Sequence, residues 1–150
     1  MTYSRANPSP RYRELTALYR ALHREGEQRL GLRPEETYPG VSLLPHVQRI
    51  KQLIARTGAT TLLDYGCGKG MQYEPHRFEV PGEGVFDGVL DYWDVDELRC
   101  YDPCVERYSA VPEGQFDGVI STDVLEHCPA EDVPWIVAEL FGYARRFVFA

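Results

Sequence analysis

Apolar residues recur along the chain in helical and in strand-like patterns. Over 11–30, Tyr12, Leu15, Leu18, Tyr19 and Leu22 fall at helical spacing. A second helix is expected over 45–57, where Val47, Ile50, Leu53 and Ile54 share one face. Pro45 suits its start, because the first helical turn has no intrahelical use for the missing N–H. The segment from Gly31 to Gly40 between them reads as a loop. After the turn signal Thr57-Gly58, Thr60–Leu63 is a short β-branched and apolar run of the kind a buried parallel strand shows. Leu98–Asp102 reads as a second strand ending in an acid, and 116–121 as a third that runs into a polar, His-containing segment. An amphipathic helix near 131–144 (Val133, Ile136, Val137, Leu140, Phe141) precedes a last apolar strand over 146–150. Helices and strands in this order make an α/β chain.

Two stretches depart from that alternation. Pro75 and Pro81 interrupt 71–84, and proline inside a helix costs about 3 kcal/mol, so an irregular excursion is expected there. A short helix can follow it, with Phe86, Val89, Leu90 and Trp93 at i, i+3, i+4 and i+7. Only 13 residues separate Asp102 from Phe116. A crossover alone needs about a dozen residues. The edge strand that such a crossover would reach is expected to be missing or a stub, with 106–112 as a loop.

At 150 residues and 43% hydrophobic content, the chain is expected to fold as one globular domain, with an N-terminal helical arm and loop over 1–44 and a core over 45–150. No apolar run approaches a membrane span and no signal peptide opens the sequence, so a soluble, cytoplasmic protein with no membrane partner is expected. The net charge of −7 is uneven. Residues 1–33 hold seven arginines against three glutamates, whereas 34–150 hold nine basic and twenty acidic side chains. The basic arm reads first as a solvated helix face; an acidic partner or nucleic acid is the sharper alternative. Glu83, Asp87, Asp91, Asp94, Asp96 and Glu97 likewise read as a solvated acidic face before a site for a metal or a cationic substrate. The cysteines at 67, 100, 104 and 128 have no paired C-x-x-C spacing, so free thiols and no metal set are expected.

The candidate chemistry sits at the strand ends. Asp64-Tyr65-Gly66-Cys67-Gly68-Lys69-Gly70 follows the first strand. Glycine lets backbone approach a ligand closely and accepts positive φ. The spacing is G-x-G-x-G and not the G-x-G-x-x-G of a dinucleotide site. Lys69 is followed by Gly70 and Met71, which rules out a phosphate-gripping P-loop. Asp102, at the end of the neighbouring strand, can accept hydrogen bonds from both hydroxyls of a ribose and disfavours a 2′-phosphate.

These strings, together with Phe116-Asp117-Gly118-Val119 and Asp123-Val124-Leu125-Glu126-His127, resemble the motifs of class I S-adenosylmethionine-dependent methyltransferases over about residues 45–150. The resemblance implies a Rossmann-like, doubly wound, mainly parallel sheet, here abbreviated and ending at its fifth strand. It implies S-adenosylmethionine as cofactor, held by Asp64, Tyr65, Gly66, Cys67, Gly68 and Gly70 in the loop, Asp102 and Pro103 after the second strand, and Thr122, Asp123 and Val124 after the fourth. Gly66, Gly68 and Gly70 would line the methionine end and Asp102 the ribose. His127 and Glu126 are the candidate catalytic residues. An imidazole can act as a base near neutral pH; the other reading of His127 is a loop-ordering hydrogen bond before Pro129. Asp123 would position cofactor or a substrate amine. A small-molecule acceptor is expected first, with nucleic acid or protein acceptors open. Family members continue past the fifth strand, so a truncated chain or a minimal cofactor-binding core is expected, and a second copy could cover that strand in a homodimer. The alternative to catalysis is a cofactor-binding or scaffolding module. A nicotinamide-dependent oxidoreductase is disfavoured by the glycine spacing.

Overall fold

The fold described here is a computed structural model, covering residues 2–150. Helix α1 (Pro10–Glu25) opens it. Ser9 caps its start by accepting from the Tyr12 N–H at 3.0 Å, and Pro10 occupies the first turn. The helix stops five residues short of the expected 30. Gly26 takes φ 82 and returns its N–H to Leu22 O, and a Cβ there would lie 2.2 Å from Leu32 O. The expected loop over 31–40 holds one 3₁₀ turn, Pro34–Glu36. Pro45 lies inside a further 3₁₀ turn, Val41–His46, so α2 (Val47–Thr57) begins later than expected. His46 is exposed beside Phe149, with ring centroids 5.3 Å apart.

Strand β1 (Thr61–Tyr65) follows, then a hairpin of β2 (Arg77–Val80) and β3 (Gly84–Asp87). The sequence predicted irregular backbone here. Pro81-Gly82 instead forms the turn, with Gly82 at φ 79, and Phe78 and Phe86 pair across it and both pack against Tyr92. Helix α3 (Val89–Trp93) is the expected short helix, without Phe86, which stays in β3 because Gly88 at φ 100 separates the two. Strand β4 (Glu97–Tyr101), strand β5 (Phe116–Ile120), helix α4 (Val133–Tyr143) and strand β6 (Ala144–Phe149) complete the chain. The only element between β4 and β5 is a 3₁₀ turn, Glu106–Tyr108, so the edge strand is absent, as the spacing required.

Four strands form one parallel sheet in the order β4-β1-β5-β6. Neighbouring side chains on β1 point to opposite faces, and both faces are covered. Leu62 joins Ile50, Ile54, Val89 and Trp93 on one side, and Leu63 joins Val119, Ile136 and Leu140 on the other. Gly118 lets β5 and β6 close up, since a Cβ there would lie 2.3 Å from the Phe147 ring.

The arm is strapped to the core. Arg5 pairs with Glu139 on α4, its Nε donating to Oε1 at 2.7 Å, and also donates to the Tyr65 and Tyr101 hydroxyls. Burial alone would lower the Arg5 pKa, but the hydrogen bonds to Glu139 and Tyr101 and the charge interactions with Tyr65 and Tyr101 together outweigh it and hold the guanidinium charged. The Ser9 N–H donates to the buried Asp132 Oδ1 at 3.0 Å. The basic arm is therefore only partly a solvated face. Arg11, Arg24 and Arg33 pair with nearby glutamates at the surface, whereas Arg5 fastens the chain start to α4. The six acids of 83–97 are all exposed. Among the described residues, no helix is long and apolar enough to cross a membrane.

Candidate ligand cleft at the strand ends

A cleft of about 430 Å³ opens where the carboxyl ends of β1, β4 and β5 meet. That is within the range of small-molecule sites. Its floor holds Asp64 and Tyr65 from β1, then Gly66, Cys67 and Gly68; one side holds Asp102, Pro103 and Cys104, and the other Thr122, Asp123, Val124 and His127. Eleven of the thirteen residues singled out in the sequence thus line one cavity. Gly70 and Glu126 do not. Gly70 (φ 70) faces Tyr108, whose hydroxyl would lie 2.9 Å from a Cβ, and Glu126 points to solvent.

The roof was not foreseen. Tyr12, Leu15, Thr16, Tyr19 and His23 of α1, with Tyr38, Pro39 and Val41 from the following loop, close the cleft from above. This explains why an amphipathic helix of 16 residues has no fully buried side chain: its apolar stripe faces a cavity.

The glycine loop folds back on the sheet. Gly66 and Cys67 donate their N–H groups to Tyr101 O at 2.7 and 3.2 Å, Gly68 to Asp102 Oδ2 at 2.9 Å, and Gly70 to Cys67 O at 3.2 Å. These donors are spent inside the protein, so the loop does not offer the nest of free N–H groups that a phosphate requires. Gly66 is at φ 91, and a Cβ there would lie 2.3 Å from Val124 Cγ2. Gly68 is at φ 58 with open space towards His23. Cys67 is buried, and all four cysteines are free.

Asp102 is buried, with Oδ2 accepting from Gly68 and Oδ1 from the Cys104 N–H at 2.8 Å. A carboxylate has about four lone-pair sites, so both oxygens keep capacity for ligand hydroxyls. Asp64 lies beneath the loop with no cation beside it. Tyr73 donates its hydroxyl to Oδ2 at 2.7 Å and Gln72 its amide at 3.4 Å. Burial pushes the Asp64 pKa up to about 7, against the pull of those two donors. Its folded pKa thus exceeds the unfolded value of about 3.9. Its contribution to stability is full below pH 4 and is lost as pH rises towards 7, by roughly 4 kcal/mol in all. Asp64→Asn is expected to abolish that fall. Urea unfolding of both chains at several pH values between 4.5 and 8 checks it, and parallel stability curves would contradict it.

Two polar atoms at the cleft are buried without a partner, Gln72 Oε1 and His23 Nδ1. Burial lowers the His23 pKa, against the attraction of Asp102, and favours the neutral ring. No lysine or arginine lines the cavity, whereas Asp64, Asp102 and Asp123 do. Lys69 turns away and donates to Thr37 Oγ1 at 2.7 Å, and Arg20 donates to Pro103 O at 2.9 Å. The cleft is therefore negative.

At its rim, His127 Nε2 lies 3.3 Å from Asp123 Oδ1, and Asp123 holds φ 59. Asp123, Glu126 and His127 offer ligand atoms within 4.8 Å of one another, where the sequence suggested no metal set. All three are exposed, and exposed acids gather in this way without an ion. No family model matches the chain, and neither a curated protein nor a solved structure matches it.

Proposed function

We propose that this cleft binds S-adenosylmethionine and that the chain transfers its methyl group to a small acceptor. The sheet order supports the reading. With an edge strand missing, β4-β1-β5-β6 corresponds to 2-1-4-5 of the Rossmann-like order 3-2-1-4-5, in which ligands bind beyond the strand carboxyl ends. The observation that carries it is the Gly68–Asp102 hydrogen bond, which fastens the loop to the acid inside a cleft without lysine or arginine. Such a site suits a ribose and a cationic or zwitterionic ligand better than the phosphates of a dinucleotide or a nucleoside triphosphate.

S-adenosylmethionine, when bound, supplies a methyl group already activated on a sulfonium. The residues here then have to bind, orient and exclude water. Asp102 would hold the ribose hydroxyls. Asp64 and the free Gln72 Oε1 are acceptors for an ammonium, and a bound cation would favour ionised Asp64. The aromatic roof from the arm keeps water out. His127 sits at the open rim, where an acceptor enters. The test is single-turnover transfer of labelled methyl from S-adenosylmethionine into cell extract. Label in a low-molecular-weight acceptor is expected. Cofactor binding without any transfer would mark the chain as a binding module instead.

A further inference from the structure

We infer that the acceptor is a small amine, received as a cation against the aromatic rim of the cleft; this rests on the cofactor reading above. Three observations point the same way. First, the rings of His127, Tyr19, Tyr38 and His23 form a continuous series along the roof, with centroids 6.2, 5.8 and 4.8 Å apart in that order. Aromatic faces attract cations. Secondly, Asp123 stands at the His127 end of that series, with Glu126 beside it outside the cleft, so two carboxylates stand at the rim. Thirdly, no lysine or arginine lines the cavity, and burial favours the neutral His23 ring. An anionic acceptor, whether carboxylate or phosphate, would lose its hydration with no cation to replace it, and desolvated unpaired charge is costly. An ammonium meets the opposite conditions.

The residues also provide what an ammonium needs before it can react. Its nitrogen has no lone pair until a proton leaves. His127 Nε2 lies within reach of Asp123 Oδ1, so an imidazole stands beside the carboxylate that would hold the ammonium. With Nε2–H donating to Asp123, the proton passes to His127 Nδ1. The freed lone pair forms the new N–C bond as the S–C bond breaks, and that bond's electron pair stays on sulfur. The positive charge lost by the sulfonium reappears on the methylated nitrogen.

The test is binding, read without turnover. The full chain is saturated with S-adenosylhomocysteine and titrated by calorimetry with dimethylamine, benzylamine and tyramine, and with benzoate and phenyl phosphate as anionic counterparts. At least one amine is expected to bind at least tenfold more tightly than either anion, and Asp123→Asn is expected to weaken that amine at least fivefold. Tyr19→Leu, which removes a ring and no charge, is expected to weaken it about as much. Equal or tighter binding of an anion overturns the inference. So does saturation with S-adenosylhomocysteine followed by no amine binding, which leaves the cofactor reading standing. Failure to bind S-adenosylhomocysteine at all overturns the cofactor reading and takes the inference with it.

Discussion

Replacing Asp102 by alanine is expected to weaken S-adenosylhomocysteine binding at least a hundredfold. The carboxylate is buried, fixed by the Gly68 and Cys104 N–H groups, and aimed into the cleft with lone pairs to spare. Hydrogen bonds to a charged group contribute about 1.5–3 kcal/mol each, so losing two ribose hydroxyls removes roughly 3–6 kcal/mol. The loop also loses one of its three ties to the end of β4, and the Gly68 N–H is left for water. Asp102→Asn is the informative partner, because its amide oxygen still accepts from one backbone N–H. An intermediate loss is expected for it. Calorimetric titration of both variants, with thermal unfolding as the check on folding, measures the effect. Unchanged affinity in the alanine variant would remove Asp102 from the site.

The second large effect is on the fold. Gly66→Ala is expected to lower the melting temperature by roughly 5–20 °C. At φ 91 a side-chain-bearing residue is strained, by about 1–3 kcal/mol, and the new Cβ would lie 2.3 Å from Val124 Cγ2. Overpacking of that kind adds about 1–3 kcal/mol, and a chain of this length moves about 2–4 °C per kcal/mol. The two causes separate. Truncating Val124 in a Gly66→Ala/Val124→Ala double variant is expected to return the steric part and leave the conformational part. Gly68→Ala, where a Cβ meets open space, should cost less than Gly66→Ala. Equal losses at the two positions would contradict this account of the loop.

The strands and the floor of the cleft were legible because their signals are local. Thr60–Leu63 and 116–121 are apolar runs of strand length, and the loop, Asp102 and Asp123–His127 each follow a strand directly. The third glycine misled. The regular G-x-G-x-G spacing makes the three positions look alike, yet Gly66 yields to Val124, Gly68 opens on the cleft and Gly70 faces Tyr108. The hairpin of β2 and β3 is hidden because Pro75 and Pro81 read first as helix breakers. The Pro81-Gly82 turn and the alternation around Phe78 and Phe86 carried the opposite message.

The roof was not legible for a deeper reason. An apolar stripe such as Tyr12, Leu15, Tyr19 and Leu22 says that one face of a helix is covered, not whether by packed side chains or by a cavity. Only its two tyrosines and the neighbouring His23 hint at a cleft. The strap from Arg5 to Glu139 spans 134 positions and leaves no local trace. Arg5 looked like the other arginines of a basic arm, and its role depends on where α4 comes to lie.

As proposed above, the cleft binds S-adenosylmethionine. Calorimetric titration of the full chain with S-adenosylhomocysteine, set beside NAD and ATP, tests it most directly. Saturable binding of one S-adenosylhomocysteine per chain is predicted, with neither nucleotide competing. At a hundred times its dissociation constant the ligand should add about 2.7 kcal/mol of stability, a rise of about 5–11 °C in melting temperature. Binding of NAD or ATP in place of S-adenosylhomocysteine, or of none of the three, would contradict it.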